Sequence, residues 1–405
     1  MRLMNNKRVL LVSPFFFPEL ISTGKYNLAL AIALRTNDVD VDVIASHPLY
    51  PDWKPNFSDA TIDGIHIMRG GHMLRYPSNV LLRRAVLELW FSFHVFRRMA
   101  EMKRKHLLPD IIVPVFPPSL FFIFCPLLLS EKMRKVGIVH DLQGIYAASK
   151  KGLLARLVGK AIHFVEGKGF SNCDKLVFLS GEMMEEAIDA YKLDRNRCDV
   201  IYPPASLKIV DGSIDSELEE YFPDGFRHVV YSGALGDKQN PEGLAELFCQ
   251  AIHSMEAVMF HFFSRGSGFD KLKGDYADKT NLIQFHDLVD EEQLQELYQR
   301  SDVQILPQRA GTSKGSLPSK LPNLIVAGVR VLAITDESSE LESILSTVDG
   351  AIVINSWSEN DFVSALNSVL NDSSSQIDRR SNNAALIRDK FSTEALVEAV
   401  LGVQK

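Results

Sequence analysis

The sequence lacks most of the signatures that settle a function outright. Cysteine is scarce, and Cys125, Cys173, Cys198 and Cys249 form neither a C-x-x-C pair nor a Cys/His ligand spacing. That argues against structural zinc and a disulfide scaffold, and reduced, mostly buried thiols point to the cytoplasm. Positive charge does not dominate either: 44 Lys and Arg face 51 Asp and Glu, a formal charge of −7, so nucleic acid is not an expected partner. There is no G-x-x-x-x-G-K-[ST] loop of a P-loop NTPase and no G-x-S-x-G elbow of a hydrolase. Residues 111–129 are long and apolar enough to span a bilayer, but Pro114, Pro117, Pro118 and Pro126 break a continuous helix. The apolar stretch after Lys7 and Arg8 ends at Pro14 with no small-residue cleavage site, so no secretory leader is expected.

What is present reads as two ordinary globular domains, since 405 residues exceed the roughly 100–200 of one domain. Short apolar runs alternate with helix-length amphipathic segments, the pattern of a parallel sheet covered on both faces. The spacing predicts strands at 8–12, 39–44, 65–68, 111–115, 137–139, 176–179 and 200–201. A second series follows at 228–231, 258–263, 282–285, 303–306, 330–334 and 351–354. A helix is expected over 119–135. Tyr202-Pro203-Pro204 and the polar stretch 211–224 serve as the linker, giving domains 1–205 and 206–405, with the last helix, about 388–405, free to pack back on the first domain. Asp38, Asp40 and Asp42 alternate with Val39, Val41 and Val43 as one polar face of a strand, so no metal site is assigned to them.

Residues 81–105 form a basic, aromatic-rich helix in which Arg83, Arg84, Arg97 and Arg98 interleave with Trp90, Phe91, Phe93 and Phe96. Such a helix lies on an anionic membrane with its apolar side down, or packs on a sheet with a solvated charged side. The pattern supports both.

Open parallel sheets bind ligands at the carboxyl ends of their strands, so post-strand loops hold the candidates. After the strand at 303–306 come Arg309, a Gly/Ser-rich loop, and Leu317-Pro318-Ser319-Lys320-Leu321-Pro322-Asn323. With Ser319 as N-cap, Pro322 falls at the third helical position, and the helix start together with Lys320 makes an anion site suited to a diphosphate. Lys238 follows the Gly233 turn, where an ammonium offsets charge growing on a diphosphate leaving group. Gly266 and Gly268 allow main chain to approach a base or ribose, Gly24 opens a helix after the first strand, and His140-Asp141 ends another strand.

Together Pro18-Glu19, Thr23-Gly24-Lys25-Tyr26, Tyr50-Pro51-Asp52-Trp53, Tyr231-Ser232-Gly233, Lys238-Gln239 and Leu317-Pro318-Ser319-Lys320-Leu321 identify a resemblance. The chain resembles retaining glycosyltransferases of family 4 with the GT-B fold, two Rossmann-like α/β domains facing a cleft, and within them the colanic-acid type of fucosyltransferase. The likeness runs from about residue 7 to 401. It implies a GDP- or UDP-linked nucleotide-sugar donor as co-substrate, no separate cofactor and no essential metal. It also implies a lipid-linked glycan acceptor at the inner face of the cytoplasmic membrane. Lys238 would hold the diphosphate. Gly233, Leu317, Ser319, Lys320, Leu321 and Asn323 would line the donor, and Gly24 would approach the diphosphate. His140 and Asp141 would sit at the sugar, and Gly266 and Gly268 near the base.

Two departures from the wider family stand out. Its paired glutamates correspond here to Gly315 and Asn323, and the arginine common after the second domain's first glycine is Ala234. Arg309 or Lys314 would then supply the missing charge. Two other readings remain open from the sequence: a UDP-sugar epimerase of related fold, and a catalytically silent nucleotide-sugar-binding subunit.

Overall fold

Alternating apolar strands feed two separate parallel sheets. The computed structural model describes residues 7–19, 21–49, 52–124, 128, 132–144, 153–207, 209–210, 217–313 and 317–402. The chain divides into two units, Met1–Pro204 with Ser392–Lys405, and Ala205–Phe391.

Unit 1 runs β1 (Arg8–Val12), α1 (Ser22–Thr36), β2 (Asp40–Ser46), β3 (Ile65–Gly70), α2 (Val80–Arg104), β4 (Ile111–Phe116), α3 (Phe121–Phe124), β5 (Arg134–Val139), α4 (Leu153–Ser171), β6 (Lys175–Phe178), α5 (Gly181–Tyr191) and β7 (Cys198–Val200). Its sheet order is β3-β2-β1-β4-β5-β6-β7, every pair parallel. The run Val9-Leu10-Leu11-Val12 is wholly buried because the sheet is covered twice. Val9 and Leu11 pack with Leu30 and Leu34 of α1, while Leu10 and Val12 pack with Phe91 and Val95 of α2. Pro114 lies inside β4 even though it has no N–H to donate, and the ladder to β5 skips Val113 and Pro114.

Unit 2 runs β8 (Arg227–Ser232), α6 (Pro241–Ser254), β9 (Val258–Phe263), α7 (Ser267–Tyr276), β10 (Ile283–His286), α8 (Leu294–Arg300), β11 (Val303–Pro307), α9 (Leu321–Ala327), β12 (Arg330–Ile334), α10 (Glu340–Leu345), β13 (Ala351–Ile354), α11 (Glu359–Leu370) and α12 (Gln376–Lys390). Its sheet order is β10-β9-β8-β11-β12-β13, again all parallel. The last helix, α13 (Thr393–Leu401), belongs to unit 1, where Leu396, Val397, Val400 and Leu401 are buried with the α1 face of the sheet.

All thirteen predicted strands are present, with ends shifted by a few residues. The helix expected over 119–135 ran too far: Phe121–Phe124 is helical, but Arg134 and Lys135 open β5, and residues 125–127 and 129–131 lie outside the described residues. The apolar content of that stretch is shared between a short helix and a buried strand, which periodicity does not separate. Cys173 and Cys198 are buried and Cys249 is half-buried, all as free thiols; Cys125 lies outside the described residues.

Candidate active site

In each sheet the connections reverse direction at one place, between β1 and β4 in unit 1 and between β8 and β11 in unit 2. Ligands of open α/β sheets bind beyond the strands' carboxyl ends at such a place.

In unit 2 that place is built from three loops. After β8 the chain turns at Gly233, whose φ of +136° disfavours any side chain. Its N–H donates to the Phe263 carbonyl at 2.9 Å, tying the turn to the end of β9. A 3₁₀ turn at Asp237–Gln239 follows, braced by the Gly236 N–H donating to Gln239 Oε1 at 3.0 Å, and it leaves Lys238 exposed. The loop after β11 docks directly on this turn: the Arg309 N–H donates to the Lys238 carbonyl at 2.7 Å, and Arg309 Nη2 donates to Asn240 Oδ1 at 3.4 Å. Asp336, just past β12, accepts from the N–H groups of Gly311 at 2.8 Å and Ser313 at 3.2 Å, holding the rest of the Arg309 loop. On the other side, Gly266 has φ +100°, and a Cβ on Gly268 would stand 3.2 Å from the Leu235 carbonyl oxygen. Lys238, Arg309, Gly233, Gly266 and Gly268 are thus gathered by main-chain contacts among three loops.

The segment before α9 departs from expectation. The helix begins at Leu321 with Lys320 at its N-cap, Pro322 at the second helical position and no side-chain cap. Ser319 is not the cap: Pro322 has no N–H to give, and the Leu321 N–H is taken by the Pro318 carbonyl. Lys320 is not an outward cation. Its ammonium turns into the domain, donates to the carbonyls of Ser232 at 2.9 Å and Ile305 at 3.1 Å, and lies 4.2 Å from the Tyr231 ring centre. Burial pushes its pKa down to about 7. Lys320 therefore pins β8 to β11 beneath the Gly233 turn. Leu321 is a core residue, wholly buried, and its N–H donates to the Pro318 carbonyl at 2.9 Å. Asn323 is also committed: its Oδ1 accepts from the N–H groups of Ser206 at 2.8 Å and Leu207 at 3.0 Å, and its Nδ2 donates to Ser206 Oγ. Leu317 is half-buried and Ser319 exposed. Lys314 and Gly315 lie outside the described residues.

In unit 1, Gly24 sits in the first turn of α1, where a Cβ would come within 2.7 Å of the Glu19 carbonyl oxygen; main chain of the preceding loop fills that side. His140 follows β5, its N–H donating to the Phe116 carbonyl at 2.9 Å. Its ring meets that of Tyr26 from α1 edge to face, with centres 4.8 Å apart. His140 Nε2 and Tyr26 Oη are both enclosed, without a hydrogen-bond partner among the described residues. Burial pushes the imidazole down to about 3 and raises the phenol, so both stay neutral near pH 7. Asp141 Oδ1 accepts from the Leu142 N–H. Tyr26 and Asp336 were not assigned from the sequence. Asp336 was open to the post-strand rule that picked His140, whereas Tyr26 depends on which strands are neighbours.

The basic helix forms as α2, started by Asn79 Oδ1 accepting from the N–H groups of Leu81 and Leu82. Three of its expected surface residues are engaged within the protein. Arg83 lies over the Trp53 ring at 4.4 Å, Trp90 is stacked on His94 at 5.3 Å, and Arg98 pairs with Glu101 at 3.2 Å. Arg97 is exposed and Arg84 half-buried. Leu82, Leu89, Phe93 and Phe96, spaced 7, 4 and 3 apart, leave an apolar stripe in solvent, with Leu89 65% and Phe93 66% exposed. No helix among the described residues is long and apolar enough to cross a membrane.

Comparison with known proteins agrees with this layout. Residues 23–208 match the family model Glycosyltransferase Family 4, and residues 216–386 match Glycosyl transferases group 1. The chain is 25% identical over 370 residues to WcaI of Escherichia coli (strain K12), whose name assigns it to colanic acid biosynthesis as a glycosyl transferase; the match covers 85% of this chain and 88% of that one. In structure it is similar to sucrose-phosphate synthase from Thermosynechococcus elongatus, with TM-score 0.70 and 14% identity over 97% of this chain and 96% of that one. It is also similar to WaaG, a glycosyltransferase involved in lipopolysaccharide biosynthesis, with TM-score 0.67 and 14% identity over 98% and 100%. These structural likenesses speak to the fold, which is GT-B.

Proposed function

We propose, because the chain belongs to the glycosyltransferases of family 4 and group 1, that it moves a sugar from a nucleotide-diphosphate donor onto a lipid-linked glycan during synthesis of a surface polysaccharide. The observation that carries this reading is the main-chain docking of the Arg309 loop on the Lys238 turn, which joins the backbones of two residues with exposed cationic side chains at the strand-order reversal of unit 2. In transfer the bond from the anomeric carbon to the diphosphate breaks, a bond to an acceptor oxygen forms, and the acceptor hydroxyl loses its proton. Negative charge grows on the departing diphosphate, and fixed cations stabilise it there more than in the bound donor. Arg309 takes the part of the arginine whose position holds Ala234. Side-chain cations supply the charge that a metal would otherwise bring. His140, neutral at working pH, offers a hydrogen bond to a sugar hydroxyl and no charge. Configuration at the anomeric carbon is retained.

The acceptor side is unit 1. The exposed stripe of α2, beside Arg97, Lys103 and Arg104, has the chemistry of a surface that rests on an anionic bilayer, so the enzyme works at the inner face of the cytoplasmic membrane. The relative WcaI bears a name from the same kind of pathway. The test is a panel of GDP- and UDP-sugars incubated with the protein, with and without a polyprenyl-diphosphate-linked glycan. Acceptor-dependent nucleotide release, with retained configuration in the product by NMR, supports the proposal. Sugar isomerisation without acceptor, or binding without turnover, defeats it.

A further inference from the structure

Glu166 of α4 is a buried carboxylate, 2% exposed, with no cation paired to it among the described residues. Burying such a group is costly unless its lone pairs are filled, and here three donors converge on it. Oε1 accepts from the Gln143 N–H at 2.9 Å, and Oε2 accepts from the Gly144 N–H at 2.6 Å and from Tyr191 Oη at 2.5 Å. Tyr191, the last residue of α5, is itself fixed by stacking on His163 of α4 at 4.3 Å and by meeting Phe170 edge-on. The carboxylate is thus held rigidly from the helix side.

Its other two donors are main chain of the segment that carries His140 and Asp141. That segment is anchored upstream by the His140 N–H to the Phe116 carbonyl and downstream by Glu166 at Gln143 and Gly144. Leu142 between them is buried in the core. With both ends fixed, His140 is held where its ring meets Tyr26. Gly144 shows how tight the clamp is, because a Cβ there would stand 2.6 Å from Glu166 Oε2 and 2.7 Å from Tyr191 Oη. Burial raises the Glu166 pKa to about 7 against these three hydrogen bonds, and a glutamine in its place would turn one of the oxygens into an N–H donor facing another donor.

We infer that Glu166 is a positioning residue for the transfer step, acting through the main chain of Gln143 and Gly144 to hold His140 and Asp141 against the reacting sugar. The inference rests on the reading that His140 meets the sugar. Glu166→Gln keeps the shape but turns one oxygen into an N–H donor facing Gln143 or Gly144. Gly144→Ala attacks the same contact from the loop side, so one variant stands if the other fails to fold. Two measurements are made on the full chain. The first is amide hydrogen exchange of the peptide spanning 140–144, which needs no donor; exchange at least tenfold faster there, with the rest of unit 1 unchanged, is expected in both variants. The second is steady-state turnover with the donors of the panel above. There kcat should fall tenfold or more while donor KM stays within about twofold, and His140→Ala added to Glu166→Gln should cost little more. Wild-type exchange across 140–144, or unchanged kcat, or kcat and KM changing together, overturns the inference. His140→Ala inactive beside a fully active Glu166→Gln defeats the positioning role alone. A fully active His140→Ala defeats the reading of the site itself.

Discussion

Arg309 donates its main-chain N–H to the carbonyl of Lys238 at 2.7 Å, so two loops distant in sequence, each carrying an exposed cation, are joined at their backbones. If that junction grips a diphosphate, Lys238→Ala should lower kcat by about 10²- to 10³-fold, the usual effect of removing a group that stabilises developing charge. Arg309→Ala should lower it by about 10-fold or more. Both side chains are exposed, so the melting temperature should hardly move. Initial rates with a turned-over donor, beside thermal melts, check this; an Arg309→Ala enzyme with intact kcat and donor affinity counts against the assignment.

Lys320 calls for the opposite result, a stability phenotype with a definite pH sign. Its pKa is about 7 in the folded protein and near the ordinary 10.5 when unfolded. Between those values the unfolded chain binds more protons, so this residue's contribution is fully favourable only above about pH 10.5 and is lost as pH falls to about 7. Relative to Lys320→Met, wild-type stability should therefore rise by about 1.4 kcal/mol per pH unit across that window. Urea unfolding of both proteins at pH 7.5 and 9 measures the difference. Parallel pH dependence would mean that the ammonium is not desolvated.

How far the sequence foretold this arrangement depended on the range of the interaction. The strands were legible because burial on both sheet faces writes itself as short apolar runs, and so was the placement of His140 and Lys238 just beyond strand ends, because the carboxyl end of a strand is a local property. Lys320 misled for a physical reason: its residue type and its place before a helix suggest an outward cation, and only the neighbouring carbonyls of Ser232 and Ile305, 88 and 15 residues away, draw it inward. Asn323 misled similarly, since its partners Ser206 and Leu207 are more than 100 residues upstream. Arg83 stacks on Trp53 across 30 residues that no helical periodicity connects.

His140 gives a second pH signature. Its imidazole is held at about 3, so it is neutral at both pH 5.5 and pH 8. The ratio of wild-type to His140→Ala turnover should be flat over that range, with no inflection near 6.5. Stability behaves differently: the unfolded histidine takes up a proton as pH falls through about 6.5 while the folded one does not, so this contribution, complete above that pH, is lost progressively toward about 3. His140→Phe should accordingly lose less stability than wild type between pH 7 and 5. An activity ratio that changes about tenfold across pH 6.5 would show instead that the ring is charged when it works.

The exposed stripe of α2 makes the membrane proposal separable into apolar and electrostatic parts. Leu89 and Phe93 are each about two-thirds exposed, so seating either in a bilayer returns only part of the roughly 1.5–3 kcal/mol of a fully buried side chain. Leu89→Ser or Phe93→Ser should then weaken vesicle binding about fivefold to tenfold, with little change in fold stability. The cations divide in two. Arg83 and Arg98 are held by Trp53 and Glu101, so neutralising them should alter binding little, and Arg83→Gln should instead loosen the packing of Trp53. Arg97, Lys103 and Arg104 are exposed, and each is worth about 1 kcal/mol near an anionic surface, or about fivefold per residue. Co-flotation with phosphatidylglycerol vesicles over a salt series measures both parts. The apolar changes should shift binding at every salt concentration, and the cation changes chiefly at low salt, where screening is weak. Equal partitioning of all variants, or equal binding to zwitterionic vesicles, would mean that α2 does not face the bilayer.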